Sequence, residues 1–330
     1  MADEVDVEIA TYEELMDLER DFEDVETEML RKQVALTEPL YEKRAKLVTK
    51  IPNFWALVFE QAPPDLDQYI QPSDSALLLS SLTSVSVSHF EIENGGNGDP
   101  RSRVIKMEFA ENEWFENKVL EKKFWWRQSK DGEAGLVSEP VAIKWKVDLT
   151  QGLLDLAIKV WENDKKQTPR DSTKIKKEKD YTDDEKALKE KIDSTGLGGV
   201  SFFAWFGYRG LHISEEESRL AMEEEKKKRA ERAAGKIPEL KDADEDDEED
   251  EDEDDEDDPL ALEIFPDGEE VALEISENLW PNAMKYFSQA QEVDVSDVDF
   301  EDEDEEMGEG DEEEKPKANG AQPNLKKRKA

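Results

Sequence analysis

The chain has 330 residues, eight Trp, 13 Phe, no Cys and a formal net charge of −43. Lacking cysteine, it has no disulfide, thiolate metal site or cysteine nucleophile. A phosphate-binding surface needs Lys and Arg to displace counterions, and this charge balance is its opposite.

From Val7 to Lys50 the sequence predicts one long helix with no Gly and a single Pro. Leu15, Leu18, Phe22, Val25, Met29 and Leu36 fall on heptad spacing, broken at Lys32, with charged residues on the other faces. Such a helix spans roughly 65 Å, longer than a small domain is wide. A second copy covers the stripe in an antiparallel or crossed homodimer, or the helix packs on its own domain. Pro39 should kink the helix without ending it, because Leu40, Leu47, Val48 and Ile51 continue the apolar pattern.

After Pro52 come an aromatic patch, Phe54 to Phe59, and a Pro63-Pro64 loop. Strand character follows in Leu82 to Ile92 and, beyond the Asn94-Gly95-Gly96-Asn97-Gly98 turn, in Arg103 to Phe109. Val119 to Arg127 and Val141 to Trp145 complete a four-stranded antiparallel meander. Helices are expected over Leu153 to Trp161 and over Thr182 to Ile192, where Thr182 and Glu185 have capping-box spacing. Ser214 to Ala234 repeats that spacing with Ser214 and Glu217, then becomes a charged helix with almost no apolar face. The chain re-enters the fold at Ile264-Phe265 and forms a last amphipathic helix through Ile275, Leu279, Trp280 and Phe287.

Two acidic tracts interrupt this pattern. Asp242 to Asp258 has 16 acidic residues in 17, and Glu292 to Glu314 adds 15 more; the rest of the chain still carries −12. Such runs repel themselves, stay hydrated and attract cationic partners. The abundant candidates are histones, ribosomal proteins and other basic nuclear proteins. Lys326, Lys327, Arg328 and Lys329 form a compact basic cluster, read as a nuclear import signal or as a solvated terminus. The acidic start, Met1-Ala2-Asp3-Glu4, lacks a signal peptide's basic region. No apolar run approaches the roughly 18 residues of a spanning helix. A soluble, intracellular protein is expected.

Catalytic chemistry is not expected. His89, in a strand, and His212, in a loop, are the only two histidines, too few for a zinc site without cysteine. No nucleophile-elbow sequence supports a Ser-His-Asp arrangement. Gly95 to Gly98 and Gly196 to Gly199 are not followed by the Lys-Ser/Thr of a phosphate-binding loop. The acidic runs lack EF-hand spacing. No cofactor or metal is expected.

Three blocks carry a resemblance to a known family. Ile51-Pro52-Asn53-Phe54-Trp55 closes the long helix. Phe115-Glu116-Asn117-Lys118-Val119-Leu120 precedes Ile143-Lys144-Trp145-Lys146, and Ser201-Phe202-Phe203-Ala204-Trp205-Phe206 precedes Trp280-Pro281-Asn282-Ala283-Met284-Lys285-Tyr286-Phe287. In this order, over roughly residues 10 to 290, they resemble the nucleosome assembly protein family, in particular its SET/template-activating-factor branch. The resemblance implies an α+β fold: a long dimerisation helix with its end (1–60), then an earmuff domain (61–292) with a four-stranded antiparallel sheet and packed helices. A charged insertion is expected at about 207–260 and a disordered acidic tail at 293–330.

The resemblance also implies a histone chaperone whose dimer cradles core histones, with a lean toward the tetramer-forming pair, on a concave acidic underside. Asp148, Glu215, Glu216, Glu217, Asp267, Glu269 and Glu270 are the candidate histone contacts, although a solvated helix start explains any one of them equally well. The aromatic blocks read as core. Where relatives are more polar, this chain has Gly207 and Tyr208. A regulatory scaffold that presents histones to an acetyltransferase, or inhibits a chromatin enzyme or phosphatase, is the alternative, and a diffuse cation buffer a third reading. Sequence-specific DNA binding and membrane association are not expected. A nuclear location, with shuttling to the cytoplasm, fits these roles.

Overall fold

The computed structural model describes residues 2–166, 176–196, 198–234 and 260–301. Helix α1 (Ala2–Val48) runs 47 residues through Pro39, about 70 Å of helix. It ends where Pro52 cannot donate a backbone N–H and Asn53 adopts a left-handed φ of 55°. A sharp turn there starts α2 (Phe54–Glu60), which buries Phe54, Trp55, Val58 and Phe59.

The end of α1 packs on its own domain through apolar contacts. Val48 is buried and Tyr41 half-buried. The buried Arg44 donates to the Trp280 carbonyl at 2.6 Å and lies against the rings of Tyr41, Trp55 and Trp280. Further back the domain meets α1 through polar groups: Arg31 donates to the Gly98 carbonyl at 2.9 Å, and Arg20 pairs with Glu225 at 2.8 Å. The heptad residues Leu15, Leu18, Phe22, Val25, Met29 and Leu36 all remain exposed on the single chain.

The sheet is an antiparallel meander, β1 (Leu82–Ser88), β2 (Arg103–Phe109), β3 (Val119–Gln128) and β4 (Ala134–Ser138), in spatial order β1-β2-β3-β4. Alternation is regular in β2 and in the first part of β3, where Leu120, Lys122 and Phe124 face inward and Val119, Glu121 and Lys123 outward.

Three sequence expectations are corrected. The fourth strand is Ala134–Ser138, not Val141 to Trp145; that stretch makes a single bridge, Trp145 to Phe115. Asp131-Gly132, with Gly132 at φ +95°, makes a tight return straight after β3, and Pro140 separates the next segment from it. The first strand stops at Ser88, so His89 lies outside it, its Nδ1 2.6 Å from the Pro100 carbonyl oxygen. The region after the Pro-Pro pair is helical. Pro64 opens the short α3 (Pro64–Asp67), and Pro72 opens α4 (Pro72–Ser81), each proline sitting where a helix has no use for its N–H.

The core lies between the sheet's inner face, α5 (Leu153–Asp164) and the 3-10 segment Phe202–Gly207, whose six residues are all buried. The resemblance blocks converge there. Phe115 meets Phe203 at 5.7 Å and Trp145 at 5.8 Å, while Phe54 stacks on Phe287 at 4.9 Å. Asp74 ties α4 to this segment: its carboxylate accepts from Ser201 Oγ at 2.6 Å and from the Phe202 and Gln71 N–H groups at 2.7 and 3.0 Å.

Helix α6 (Asp183–Thr195) carries the expected box, Thr182 and Glu185 bonding each other's backbone N–H. Burial pushes the Glu185 carboxyl up, but Lys176 at 2.5 Å and the Thr182 N–H more than reverse this and leave it below its ordinary value of 4.5. Its stabilisation is complete above pH 4.5 and is lost as pH falls through the lowered folded value. Glu185→Gln is therefore expected to cost about 1–2 kcal/mol at pH 7. Urea denaturation at pH 7 and at pH 3 checks this, and the difference from the parent should shrink at the lower pH.

The last helical region is broken. Helix α8 (Gly268–Leu273) passes into a π-turn, Glu274–Leu279, before Pro281 and α9 (Ala283–Glu301). Residues 2–290 and 291–301 belong to separate units. Helical backbone thus continues past 293, where an unstructured tail was expected to begin. The insertion does not begin at 207: Gly207 to Gly210 are buried, Ser138 N–H donates to the Arg209 carbonyl at 2.8 Å, and Tyr208 Oη to the Leu136 carbonyl at 3.1 Å. Helix α7 (Glu215–Ala233) is also docked, Gln128 N–H donating to Ser218 Oγ at 2.9 Å. The acidic run Asp242 to Asp258, the tail beyond 301 and the basic cluster Lys326 to Lys329 lie outside the described residues.

Candidate functional site

All seven candidate carboxylates sit at helix starts. Asp148 precedes α5 and is engaged there: Oδ1 accepts from the Thr150 N–H and hydroxyl at 2.8 and 2.7 Å, and Oδ2 from the Gly152 N–H at 2.6 Å. Glu215, Glu216 and Glu217 form the first turn of α7, capped by Ser214, whose hydroxyl accepts from the Glu217 N–H at 3.1 Å. Glu217 is buried, whereas Glu215 and Glu216 are exposed and have no partner among the described residues. Asp267 stands at the N-cap position of α8 without a side-chain cap bond, and, after burial, its charge helps to push the Tyr69 hydroxyl up. Glu270 is exposed, but Glu269 reaches back to the sheet edge and accepts from the Leu136 N–H at 3.0 Å, with burial pushing its carboxyl up.

A carboxylate at a helix N-terminus is favoured by the exposed N–H groups and the macrodipole, whatever else it does. Asp148, Glu217 and Glu269 therefore hold the fold locally. Glu215, Glu216 and Glu270 remain with their charge turned to solvent.

Gly207 and Tyr208, which depart from the resemblance, are packing residues. A Cβ on Gly207 would lie 2.4 Å from Ile264 Cδ1, and one on Gly268 would lie 2.3 Å from the Tyr208 ring. Neither Gly207 nor Tyr208 presents a side chain to a cargo.

The charged helix α7 has a role that its sequence hides. Arg229 pairs with Asp21 and Asp24 at 2.5 and 3.1 Å, and Arg232 with Asp17 at 2.5 Å, so α7 lies along α1 through ion pairs rather than an apolar face. The Asp17 carboxyl is held below its usual range by the Arg232 hydrogen bond.

A cleft of about 650 Å³ opens between the outer face of β3 and β4, the end of α5 and the loop leading into α7. Trp125 and Val137, a cross-strand pair, line it together with Trp161. Lys165 Nζ lies 4.0 Å from the Trp161 ring centre and 2.7 Å from Glu139. Sequence reading missed this group; its one legible signal is the four-residue spacing of Trp161 and Lys165 on a helix. Among the described residues no cluster of His, Asp and Glu is placed to hold a metal ion, and no helix is long and apolar enough to cross a membrane.

The long helix, the four-stranded meander and the helices behind it define an α+β class. The sequence profile of the nucleosome assembly protein (NAP) family matches residues 48–290, and the chain belongs to that family. It is 36% identical over 146 residues to a Schizosaccharomyces pombe protein provisionally described as a nucleosome assembly protein, an alignment covering 41% of this chain and 57% of that one. To Protein SET of Drosophila melanogaster it is 36% identical over 113 residues, 34% of this chain and 39% of that one. The alignments thus span 57% and 39% of these relatives' own lengths. Among solved structures, the Vps75 histone chaperone aligns over 86% of this chain and 98% of its own at 20% identity and a TM-score of 0.48.

Proposed function

We propose that this protein is a histone chaperone that binds core histones, with a lean toward the tetramer-forming pair, shields their charge and releases them to DNA. What carries the reading is a NAP-family domain over residues 48–290 within a chain of net charge −43. Binding fits that family membership, and the charge selects a strongly basic ligand. The active form is a homodimer sealed along α1, acting in the nucleus with import through the Lys326 to Lys329 cluster, and shuttling to the cytoplasm.

Exposed ion pairs are individually worth about 0.2–1 kcal/mol, so a hydrated polyanion raises capture rates more than it selects. Selection falls to fixed charges on the folded domain. Because Asp148 and Glu269 also hold backbone and Glu217 is buried, the informative charge reversal is Glu215→Lys with Glu216→Lys and Glu270→Lys. It should weaken histone binding about tenfold at physiological salt, with an unchanged circular dichroism spectrum. Neutralising three carboxylates between Asp242 and Asp258 should cost about twofold or less. Equal losses would make the acidic run, not the domain, the recognition element.

The direct test of function is competition: the protein should strip histones from DNA without binding DNA. Histones left on DNA at every concentration would overturn the reading. The scaffold alternative shares histone binding and adds an enzyme, so pull-down from nuclear extract at two salt concentrations, probed for acetyltransferase and phosphatase, separates the two.

A further inference from the structure

Helix α7 is held at its two ends by different chemistry. Its first turn is rooted in the domain: Ile213, Glu217 and Ser218 are buried, and the Ser218 hydroxyl accepts from the Gln128 N–H at 2.9 Å. Its outer half meets α1 through one charged stripe, Glu225, Arg229 and Arg232, at the four- and three-residue spacing of a single helix face. Glu225 is the junction. One of its carboxylate oxygens pairs with Arg20 of α1 at 2.8 Å, and the other accepts from Gln128 Nε2 of β3 at 2.9 Å. Beyond it Arg229 reaches Asp21 and Asp24 at 2.5 and 3.1 Å. Arg232 makes two bonds to Asp17, from Nε at 2.8 Å and from Nη2 at 2.5 Å.

Nearer the end of α1 the domain is tied differently. Arg44 and Val48 are buried there, and Arg31 donates to uncharged backbone carbonyls. The α7 stripe is charge on charge and partly in water. Pairs of this kind are individually weak and are screened by added salt. Their exposure is also one-sided: Asp21 and Asp24 are 67% and 70% exposed, and Arg229 only 23%. An incoming cation therefore reaches the aspartates while the helix is still docked, whereas an anion finds the arginine mostly covered. Once free, the outer half cannot hold its own shape. The stretch from Glu225 to Ala233 is shorter than the roughly 12–15 residues that an isolated helix needs in water.

We propose that the outer half of α7 is a charge-released strap between the domain and the first half of the long helix. Docked, it fixes the domain against α1. A strongly basic polypeptide that takes Asp21 and Asp24 from Arg229 binds the open form better than the closed one and shifts the balance toward it. The domain then keeps its buried attachment at the end of α1 and gains freedom to turn about it. The inference stands on the α1–α7 contacts; the histone reading supplies only one partner of the required charge.

The test follows amide hydrogen exchange of residues 226–234 in the full chain by mass spectrometry, with residues 216–222 as internal reference. Raising sodium chloride from about 50 to 500 mM should speed exchange of the outer segment about tenfold and leave the reference unchanged. At the lower salt, a lysine homopeptide in excess of the chain's carboxylates should do the same, and an uncharged glycine–serine peptide should not. Arg229→Gln with Arg232→Gln should exchange fast at both salt concentrations. Lys226→Gln with Lys227→Gln removes the same charge from exposed residues that have no partner among the described residues, and should keep the parent's salt response. Arg229→Lys with Arg232→Lys retains the charge and should exchange more slowly than the glutamine pair at low salt. Exchange in the parent that ignores either salt or the lysine peptide would overturn the strap. So would equal exchange in the two glutamine variants, or a lysine pair as fast as its glutamine counterpart. A failed histone–DNA competition assay would remove the chaperone reading and leave these measurements unaffected.

Discussion

Leu18→Glu combined with Phe22→Glu is expected to convert a dimer into a monomer at micromolar concentration, read by light scattering. The two side chains are 51% and 63% exposed on the single chain, so replacing them takes no buried group from the described fold. Any effect must come from a surface that another molecule covers. The polar character of the intramolecular contacts along α1 supports a second copy as that molecule. Arg20, Arg31 and the Asp17, Asp21 and Asp24 carboxylates face the same chain's domain and α7, while Leu15, Leu18, Phe22, Val25, Met29 and Leu36 are left bare. Burying one such apolar side chain fully is worth about 1.5–3 kcal/mol. Six per copy comfortably offset the 4–15 kcal/mol cost of association. Four introduced carboxylates per dimer, facing an apolar seam, reverse the balance, because a buried unpaired charge costs several kcal/mol. A parent that scatters as a monomer would refute the dimer outright. A double variant that remains dimeric would move the interface off this stripe.

The long helix was legible because its signal is local and repeated: forty residues without Gly, a heptad stripe and continuation past Pro39. Strands β2 and β3 were legible for the same reason, since alternation is a short-range pattern. Strand β4 was not. Ala134–Ser138 is short and weakly apolar, and what makes it a strand is pairing with the second half of β3, which the Asp131-Gly132 turn signals better than the strand itself. Helix α4 was hidden behind prolines that open helices here rather than forbid them.

Acidic residues were the least readable. Asp148, Glu217 and Glu269 look identical in sequence to Glu215, Glu216 and Glu270. Only the structure shows that the first three are engaged locally, two of them bonded to backbone N–H groups at 2.6–3.0 Å. Charged helix α7 looked core-free and is, yet it docks on α1 through arginines whose partners lie some two hundred residues away. Ion pairs have no periodicity to betray them.

Lys122→Met is expected to destabilise the domain by about 3 kcal/mol, the range for breaking one side of a buried ionic network. Alternation in β3 points Lys122 inward, and the structure leaves it 0% exposed. Its ammonium donates to the carbonyls of Glu139, Phe206 and Tyr208 at 3.0, 3.1 and 2.9 Å, joining the central strand to the segment after β4 and to the aromatic 3-10 segment. Met keeps the stem's packing and removes all three donors. The Phe206 carbonyl keeps a bond from Val141 N–H and the Glu139 carbonyl one from Ser138 Oγ, so the Tyr208 carbonyl carries most of the loss. The buried Glu263, bonded to the Arg209 and Gly210 N–H groups, also loses a nearby positive charge.

The pH dependence separates this from a simple packing defect. Burial lowers the Lys122 ammonium from 10.5 to about 7, against the pull of Glu263 and Glu139. Between those values the unfolded chain holds the proton and the folded chain does not, so this residue's contribution to stability rises with pH from about 7 to 10.5. Below pH 7 the cost of burying the charge is present in full. Denaturant titrations at pH 7 and pH 10 should therefore show the gap between parent and Lys122→Met widening at the higher pH. A gap that stays constant would mean that Lys122 remains protonated in the fold throughout, held by Glu263. A gap near zero at both would mean that the three carbonyl bonds contribute nothing net to holding β3 against the aromatic segment.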